Sequence, residues 1–498
     1  MCFLQLFFAR AFRQMRFGFR KEPFIMKLAV TGWPSPIYVY GNPEVRAAVC
    51  RDLQRLEVAY IEVGSSPQEV AGLTLEEGAP LVIALGPEDI FGKIRGELAA
   101  QNESLRPHIW RDIEFFSELL THAQVEDAPL CPEPERSVAV GMNIDFVLGG
   151  AETWATQLFF GLKEKLSPRG IPVAMWEARQ DSPYQYVGRE FYNIPEKDVV
   201  QFGKYQGFVD YTLAVLERLT RQAPALYFDN GSMQMLSAFF LAKKYLGLKT
   251  EIISVVHGYA SIFFGRVTRC QGCIDRLIGV SDAIAEELRQ RLPHREQDIS
   301  VYLQLPQAQP ESLGKKSGST LGIAYAARLE IGNKRCLWLL DVMDGLKAAR
   351  VDFSLSIAGD GECYELLKEH IQERGLGDRV HLLGRIPHQE MDAFYQDKDV
   401  FVNFSVTEGG PLTLFESLSH GLVPVVTDVG CARRFIRDEE NGYLIDSPEA
   451  AVETLKGLSG NLEFCRALGE KALAGFVSQR EDMEDQVLRW LEESGLTA

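Results

Sequence analysis

The sequence lacks both a long apolar run and a surplus of basic residues. Among its 498 residues, no uninterrupted apolar stretch reaches the roughly 18 to 20 residues that a membrane-spanning helix needs. Lys and Arg number 52 against 69 Asp and Glu, which gives a net charge of -17. This acidic balance argues against a nucleic-acid binder and against strong adhesion to anionic lipid.

The chain also lacks a disulfide framework and an evident metal site. Its nine cysteines are odd in number and scattered, which is typical of a reducing compartment and predicts a cytoplasmic location. Cys270 and Cys273 form a lone C-x-x-C, but neither a second ligand pair nor a thioredoxin-like context accompanies it. We therefore favour chance spacing for this pair and expect no bound metal.

Residues 1–25 differ in composition from the rest of the chain. Phenylalanines are interspersed with arginines that recur near helical spacing, at Arg10, Arg13, Arg16 and Arg20. Such a segment is typical of a targeting sequence or of an anchor on the inner membrane face, which leaves peripheral membrane contact open. A leader upstream of the true start is the favoured alternative, because Met26 opens a clean strand, KLAVTG.

Beyond residue 26, short β-branched runs alternate with amphipathic helices. This alternation predicts an α/β protein with parallel sheets covered by helices, and 498 residues are too many for one core. We expect two Rossmann-like, doubly wound domains that face a cleft, plus an additional N-terminal α/β module. The expected divisions are 26–130, 131–310, 318–475 and a C-terminal helix over 476–498 that packs back across the junction.

The segment EGGPLTLFESLSHG, residues 408–421, is the strongest chemical signal. It follows the buried strand VFVNFS, so it lies at a strand's carboxyl end. Gly409 and Gly410 allow close approach of a ligand, and Pro411 fits the first position of a helix. The start of that helix, from Leu412 onward, offers unpaired N–H groups to a phosphate.

Two glutamates flank this turn. Glu416 lies just over one turn inside the helix, where the vicinal hydroxyls of a ribose would satisfy its carboxylate. Glu408, in the preceding loop, would contact a sugar ring. Attraction to the helix dipole explains either glutamate alone about as well, but it does not explain the E-x7-E spacing around a Gly-Gly-Pro turn.

Cations are expected beside the same helix. In AARLEIGNK, Arg328 follows the first predicted strand of the 318–475 domain, and Lys334 lies six residues further on in a glycine-containing loop. Arg suits bidentate contact with a phosphate and Lys acts as a point charge. Either residue alone is typical of a solvated surface, but their joint placement favours a diphosphate site.

The opposite side of the cleft carries weaker signals. Gly149 and Gly150 open a helix after a strand, which is more often only a tight turn. His257 ends the strand EIISVVHG and is as easily a satisfied structural histidine. Both nevertheless lie at carboxyl ends of predicted strands, where open α/β sheets bind ligands.

Together these features resemble the GT-B glycosyltransferases, specifically the retaining GT4 family (glycosyl transferases group 1). The resemblance covers residues 137–475 and is strongest over 320–445. It implies a retaining hexosyltransferase that uses a UDP- or GDP-sugar and no tightly bound cofactor. The acceptor would be a glycan, a lipid-linked molecule or a small molecule, in cell-envelope or polysaccharide biosynthesis.

The resemblance also implies roles for single residues. Arg328 and Lys334 would neutralise the donor diphosphate, Glu408 would bind the transferred sugar and Glu416 the ribose. From the other domain, His257 would touch the sugar. The remaining contacts to phosphate or sugar would come from the backbone at Gly149, Gly150, Gly409, Gly410, Pro411 and Leu412. The pattern leaves residues 26–130 unaccounted for, and Pro411 removes one N–H donor.

Three alternatives remain open. A glycosidase could use the two glutamates, although its carboxylates stand about 5 to 10 Å apart and eight helical residues would span roughly 12 Å. A sugar-nucleotide epimerase shares the two-domain architecture. The chain could also be a catalytically silent binding module that uses residues 26–130 to recruit a partner. The presence of Glu408 and Glu416 argues against this alternative.

Overall fold

Three parallel sheets, one in each successive part of the chain, organise the molecule. The computed structural model describes residues 26–496 apart from short gaps. These gaps are 31–32, 35, 42, 71–72, 77–78, 85–90, 143–149, 178–188, 190–191, 203–206, 259–260, 307, 310–317 and 388–389. The expected leader over residues 1–25 lies outside the described residues.

The first part forms a four-stranded parallel sheet in the order β3-β2-β4-β5, with a separate antiparallel pair, β1-β6. Its strands are β1 Lys27–Val30, β2 Ile37–Gly41, β3 Tyr60–Gly64, β4 Leu81–Ala84, β5 Ile109–Arg111 and β6 Ala123–Glu126. Its helices are α1 Pro43–Arg55, α2 Phe91–Gln101 and α3 Asp112–Thr121. The sequence did not predict β2 or the antiparallel pair. β6 buries only Ala123 and therefore shows no apolar run.

This module is joined to the second part by a buried polar contact. The Asp52 carboxylate, on α1, accepts a hydrogen bond of 2.7 Å from the backbone N–H of Phe208. The rings of Phe116 and Phe208 stack beside it, with centroids 5.8 Å apart. Asp52 thus occupies the start of a helix that belongs to the neighbouring sheet, a position where side-chain acceptors stabilise helices.

The second part is a seven-stranded parallel sheet in the order β13-β12-β11-β10-β7-β8-β9. Its strands are β7 Glu135–Gly141, β8 Val173–Glu177, β9 Val199–Gln201, β10 Pro224–Asp229, β11 Glu251–Val256, β12 Arg276–Gly279 and β13 Ile299–Val301. Its helices are α4 Gly150–Leu166, α5 Phe208–Leu219, α6 Met233–Tyr245, α7 Ser261–Arg269 and α8 Asp282–Arg291.

The third part is a six-stranded parallel sheet in the order β16-β15-β14-β17-β18-β19. Its strands are β14 Leu321–Ala326, β15 Phe353–Ala358, β16 Val380–Gly384, β17 Val400–Asn403, β18 Val423–Thr427 and β19 Tyr443–Ile445. Its helices are α9 Trp338–Ala348, α10 Tyr364–Glu373, α11 Met391–Tyr395, α12 Leu412–Ser419, α13 Ala432–Phe435, α14 Pro448–Ser459 and α15 Leu462–Glu493. The apolar runs of the sequence predict strands that coincide with these to within two residues, namely LGIAYA, FSLSIAG, RVHLLG, VFVNFS, VPVVTD and GYLI.

Helix α15 differs from the expected separate C-terminal segment. It runs without a break for 32 residues, because no proline interrupts it between the third part and its end. Its last turns lie against the second part, where the Trp490 ring packs on Phe228 and Tyr302. Arg276 pairs with Glu493 at 2.7 Å beside them. The helix therefore contacts both large sheets.

Cysteine pairing is the other departure from expectation. Cys336 and Cys363 form a disulfide, with Cα atoms 6.6 Å apart, whereas the sequence suggested none. The two cysteines are 27 residues apart in the chain, and each lies just before a helix, α9 or α10. Only the packing of these two helices side by side brings the cysteines together. Cys270 and Cys273 are buried thiols. In the part of the chain that the structure describes, no helix is long and apolar enough to cross a membrane.

Candidate functional site

Two loops at the carboxyl edge of the third sheet meet at Lys334 and Glu408. The Lys334 ammonium lies 2.5 Å from Oε1 of Glu408, and the two side chains are only 16% and 13% exposed. The Ser405 hydroxyl donates a second hydrogen bond of 2.6 Å to the same oxygen. A charged pair that is this buried needs such partners, and it leaves Lys334 with two further N–H donors.

Asn333 connects these two loops by hydrogen bonds. Its carbonyl oxygen accepts a hydrogen bond of 2.7 Å from the N–H of Val406. Its side-chain oxygen accepts from the N–H of Thr407 at 3.0 Å and from the Thr407 hydroxyl at 2.9 Å. The loop that carries Lys334 is therefore fixed directly to the loop that carries Glu408.

The Gly409–Gly410 turn presses against the second sheet. A Cβ atom added to Gly409 would lie 2.2 Å from the carbonyl oxygen of His257, and one added to Gly410 would lie 2.8 Å from that of Val280. Both distances are below any that real side chains show, so only glycine fits at these positions. This turn brings the strand ends of the second and third sheets together.

Helix α12 starts one residue later than the sequence predicted. Pro411 is the residue before the helix, with an extended backbone (φ -74°, ψ 90°), and Leu412 is the first helical residue. The carbonyl of Pro411 accepts from the N–H groups of Leu414 and Phe415. The N–H groups of Leu412 and Thr413 lie at the helix start, where no earlier turn can accept from them. An anion at this end would find both.

Glu416 is buried inside α12. The residue is 8% exposed, and its carboxylate accepts a hydrogen bond of 3.2 Å from the Tyr395 hydroxyl. Burial raises the pKa of Glu416 from 4.5 to about 7, the Tyr395 hydrogen bond lowers it, and the charge of Asp392 raises it further. Near neutral pH this carboxyl group therefore exists in both forms, and a ligand that donates hydrogen bonds would favour the ionised one.

His257 faces the turn from the second sheet. Its Nε2 contacts Oδ1 of Asn230, and its ring meets Trp154 edge-on with centroids 5.2 Å apart. Burial, and then the charge of Arg266, lower the pKa of His257 to about 3. The imidazole is therefore neutral at physiological pH.

A buried ion pair lies behind His257. Arg266 contacts the Asp229 carboxylate, and the two side chains are 1% and 0% exposed. The Ser254 hydroxyl donates to Asp229 at 2.6 Å, and Arg266 donates to the Val255 carbonyl at 2.9 Å. These bonds join the ends of β10 and β11 to α7, and they fix the strand end that carries His257.

Not every residue that the sequence predicts for the site lies beside Lys334, Glu408 and the Gly409–Gly410 turn. Arg328 is 69% exposed, and its recorded ion pair is with Glu330 at 3.8 Å. Gly150 is the first residue of α4, and a Cβ added to it would meet nothing within 4 Å. Gly149 lies outside the described residues. Over the described ranges, no three His, Cys, Asp or Glu side chains converge as a metal site would require.

Sequence reasoning missed several residues of this site. Asn333 stands beside Lys334 in the predicted loop, so its polar side chain could have been noticed. Tyr395, Asn230 and Trp154 carried no motif. They reach Glu416 and His257 only through the tertiary fold, and a single sequence contains no signal for such contacts.

Comparisons with known proteins identify a related family and a shared fold. Residues 309–474 match the family described as Glycosyl transferases group 1, so the resemblance to this family is confirmed over these residues. The UDP-N-acetylglucosamine--peptide N-acetylglucosaminyltransferase GtfA subunit of Streptococcus gordonii is 26% identical over 228 residues, 45% of this chain and 43% of that protein. The lipopolysaccharide 1,6-galactosyltransferase of Escherichia coli K12 is 25% identical over 226 residues, 44% of this chain and 61% of that protein. The chain thus spans less than two thirds of either relative.

A solved structure gives the fold. The pneumococcal O-GlcNAc transferase GtfA, in complex with UDP and GlcNAc, matches with a TM-score of 0.59 and 15% identity. The match covers 72% of this chain and 99% of that one. The expected GT-B architecture, with two Rossmann-like domains that face a cleft, is confirmed.

Proposed function

We propose that this chain is a retaining glycosyltransferase of the GT4 type, which transfers a sugar from a nucleoside-diphosphate sugar to an acceptor. One observation carries the proposal. Lys334, Glu408 and the start of α12 lie together at the carboxyl edge of the third sheet. The Gly409 turn holds that edge against His257 of the second sheet. The match of residues 309–474 to group 1 glycosyltransferases supports the same activity.

The donor's parts correspond to different groups of this site. The diphosphate accepts hydrogen bonds from the ammonium of Lys334 and from the N–H groups of Leu412 and Thr413. The exposed Arg328 side chain is free of buried contacts, so it can swing onto the diphosphate at little cost. The ribose hydroxyls donate to Glu416, whose buried carboxylate lies in α12 and is ionised more readily when hydrogen-bond donors surround it.

The chemistry follows from where charge develops. As the glycosidic bond breaks, negative charge builds on the leaving diphosphate, and the positive groups already in place stabilise it without reorganising. Loss of one such group is worth about 2.7–4 kcal/mol of barrier, by analogy with an oxyanion hole. Glu408 is engaged by Lys334 and Ser405, so we assign it to binding the transferred sugar rather than to covalent attack.

We further propose UDP as the preferred donor nucleotide, with GDP as the alternative. The solved relative with the same fold is a complex with UDP and GlcNAc. The acceptor is a glycan, a lipid-linked molecule, a peptide or a small molecule. The names of the curated relatives include a peptide and a lipopolysaccharide acceptor. A cytoplasmic location at the inner membrane face, in cell-envelope or polysaccharide biosynthesis, remains part of this proposal.

The test begins with binding of nucleotide sugars. UDP-glucose, UDP-GlcNAc, UDP-galactose and GDP-mannose are each titrated with the full chain by calorimetry. The strongest binder is then incubated with candidate acceptors, and the anomeric configuration of the product is assigned by proton NMR. The proposal expects saturable binding that is lost in Glu416→Ala, and an α-linked product from an α-linked donor.

The other outcomes are equally distinct. Conversion of the donor sugar without any acceptor would make the chain an epimerase. A product of inverted configuration would refute the retaining assignment and keep the transferase. If no nucleotide sugar binds, and Glu416→Ala leaves the cellular function intact, the chain is a silent binding module.

A further inference from the structure

Asn230 is fully buried and makes two side-chain contacts. Its Nδ2 donates a hydrogen bond of 3.0 Å to the carbonyl oxygen of Ala151, at the start of α4. Its Oδ1 contacts Nε2 of His257. A buried amide must satisfy both of its ends, so neither contact is incidental.

These contacts determine which imidazole nitrogen carries the proton. A backbone carbonyl oxygen can only accept, so the Asn230 atom that faces Ala151 must be the amide nitrogen. The atom that faces His257 is then the amide oxygen, which also can only accept. Nε2 of His257 must therefore donate, and a flipped amide is excluded because it would set two acceptors against each other.

The charge state of the ring completes the argument. Next to the ring lie Trp154 and the buried Asp229–Arg266 pair, whose cation disfavours a second positive charge. A neutral imidazole with its proton on Nε2 carries a lone pair on Nδ1. In the part of the chain that the structure describes, Nδ1 makes no hydrogen bond, and the residue is partly exposed at the cleft.

We infer that Asn230 is a positioning residue that holds His257 in its Nε2–H form, so that Nδ1 accepts a hydrogen bond from a hydroxyl group of the transferred sugar. This inference rests on the proposed function. The His257 carbonyl packs on the Gly409 turn, which places the ring beside the loop that carries Glu408. The site consequently selects a donor whose sugar has a free hydroxyl at that position. A sugar that offers only an ether or deoxy carbon there is disfavoured.

The tautomer can be measured without any donor. The full chain is labelled with ¹⁵N-histidine, and the His257 ring signals are assigned by comparison with His257→Gln. We expect a protonated Nε2 and an unprotonated Nδ1 in the free protein, and a mixture of both forms in Asn230→Leu, which keeps the shape of the side chain. A protonated Nδ1 in the unaltered protein would overturn the inference whatever the function.

The role in recognition is tested with donor analogues. UDP-glucose and UDP-GlcNAc are compared with their monodeoxy sugar analogues as ligands, in the unaltered chain, Asn230→Leu, His257→Phe and the double variant. One deoxy analogue should bind about 3- to 10-fold more weakly to the unaltered chain, the range of one neutral hydrogen bond. His257→Phe and the double variant should bind that analogue and its parent equally well, and Asn230→Leu should discriminate between them less than the unaltered chain does.

The pattern across the variants separates positioning from folding. A purely structural loss in Asn230→Leu would weaken both ligands by the same factor and preserve their ratio, which would overturn the recognition role. In the His257→Phe background, Asn230→Leu should change the ratio no further. If no nucleotide sugar binds the unaltered chain, the proposed function fails along with this recognition role, whereas the NMR result stands by itself.

Discussion

Lys334 and Glu408 form an ion pair of 2.5 Å across 74 residues of sequence. The cation and the carboxylate were each predicted from separate motifs, and the structure shows that they are direct partners. Their pairing keeps the positive charge beside the loop that leads into α12, where we propose that the diphosphate binds. It also prevents Glu408 from repelling an anionic ligand, because its charge is already compensated.

Replacing the ammonium should therefore impair catalysis. In Lys334→Met, kcat/KM should fall about 100- to 1,000-fold, since one preorganised group that stabilises the leaving diphosphate is lost. The unfolding temperature should fall as well, because Glu408 stays buried without its counter-ion. Steady-state kinetics with the best nucleotide sugar and differential scanning calorimetry measure the two effects.

A second variant separates these two losses. Lys334→Met combined with Glu408→Gln removes the uncompensated charge, so it should recover stability without recovering activity. A Lys334→Met variant with unchanged turnover would show that the ammonium does not face the donor.

The raised pKa of Glu416 predicts a pH-dependent affinity for the donor. Ribose hydroxyls donate hydrogen bonds to the ionised carboxylate, so binding releases a proton wherever the free group is protonated. The affinity for UDP-glucose should rise up to about tenfold per pH unit below about pH 7 and then level off. Calorimetry in two buffers of different ionisation enthalpy checks the released proton. Glu416→Gln should bind weakly with a flat profile, and a sloped profile in that variant would refute the assignment.

Stability should change in the opposite direction with pH. The pKa of Glu416 is higher in the folded chain than the ordinary 4.5, so the folded state takes up the proton more readily. Its contribution is fully present below about pH 4.5 and is lost as the pH rises through about 7. Urea unfolding of the chain and of Glu416→Gln at both ends of this window isolates the contribution.

Gly409→Ala should separate the two large sheets at the site. The new Cβ would lie 2.2 Å from the His257 carbonyl, and backbone atoms on both sides cannot move independently. We expect a loss of activity larger than the loss of stability, with a wider cleft visible in small-angle scattering. Gly457→Ala is the matched control, since its added Cβ meets nothing within 4 Å inside α14, and it should leave activity unchanged.

The buried pair behind His257 should matter for stability. Asp229→Ala leaves Arg266 as an uncompensated buried cation, and such losses cost about 3–5 kcal/mol in the free energy of unfolding. Replacing both, as Asp229→Leu with Arg266→Met, should cost much less. Urea denaturation of the three chains decides this, and equal costs for the single and double variants would contradict it.

The N-terminal module should detach more easily without the Asp52 carboxylate. Asp52→Ala removes the acceptor for the Phe208 N–H, which is worth about 1 kcal/mol as a helix cap. Limited proteolysis should then cut faster in the proline-rich connection near residues 128–134. Glu69→Ala, whose carboxylate serves only its own exposed turn, is the control and should leave that cleavage unchanged.

The third sheet could be predicted well because its strands are runs of mainly apolar residues. LGIAYA at β14 and VPVVT at β18 are completely buried, and runs of this length are typical of a strand rather than a helix. β9 and β13 were missed because they are three residues long and only partly buried.

The site was predicted in part for a related reason. Lys334, Glu408 and Glu416 lie in motifs whose spacing carries chemistry, and Gly409 is required by the contact with His257. Asn230 and Tyr395 act through partners that are 27 and 21 residues away in the chain. Arg328 differs from them, because its side chain is exposed and pairs with Glu330, and its contact with a phosphate stays a prediction.

Helix α15 restricts how the cleft can open. Phe476 packs on Phe435 of the third part, whereas seven residues later the Met483 sulfur accepts from the N–H of Leu303 in the second part. Any rotation of the second part against the third part must therefore bend the helix between these two contacts. The bending energy would oppose that rotation, so α15 would help to set the resting width of the cleft, through contacts outside the loops that carry Lys334 and Glu408.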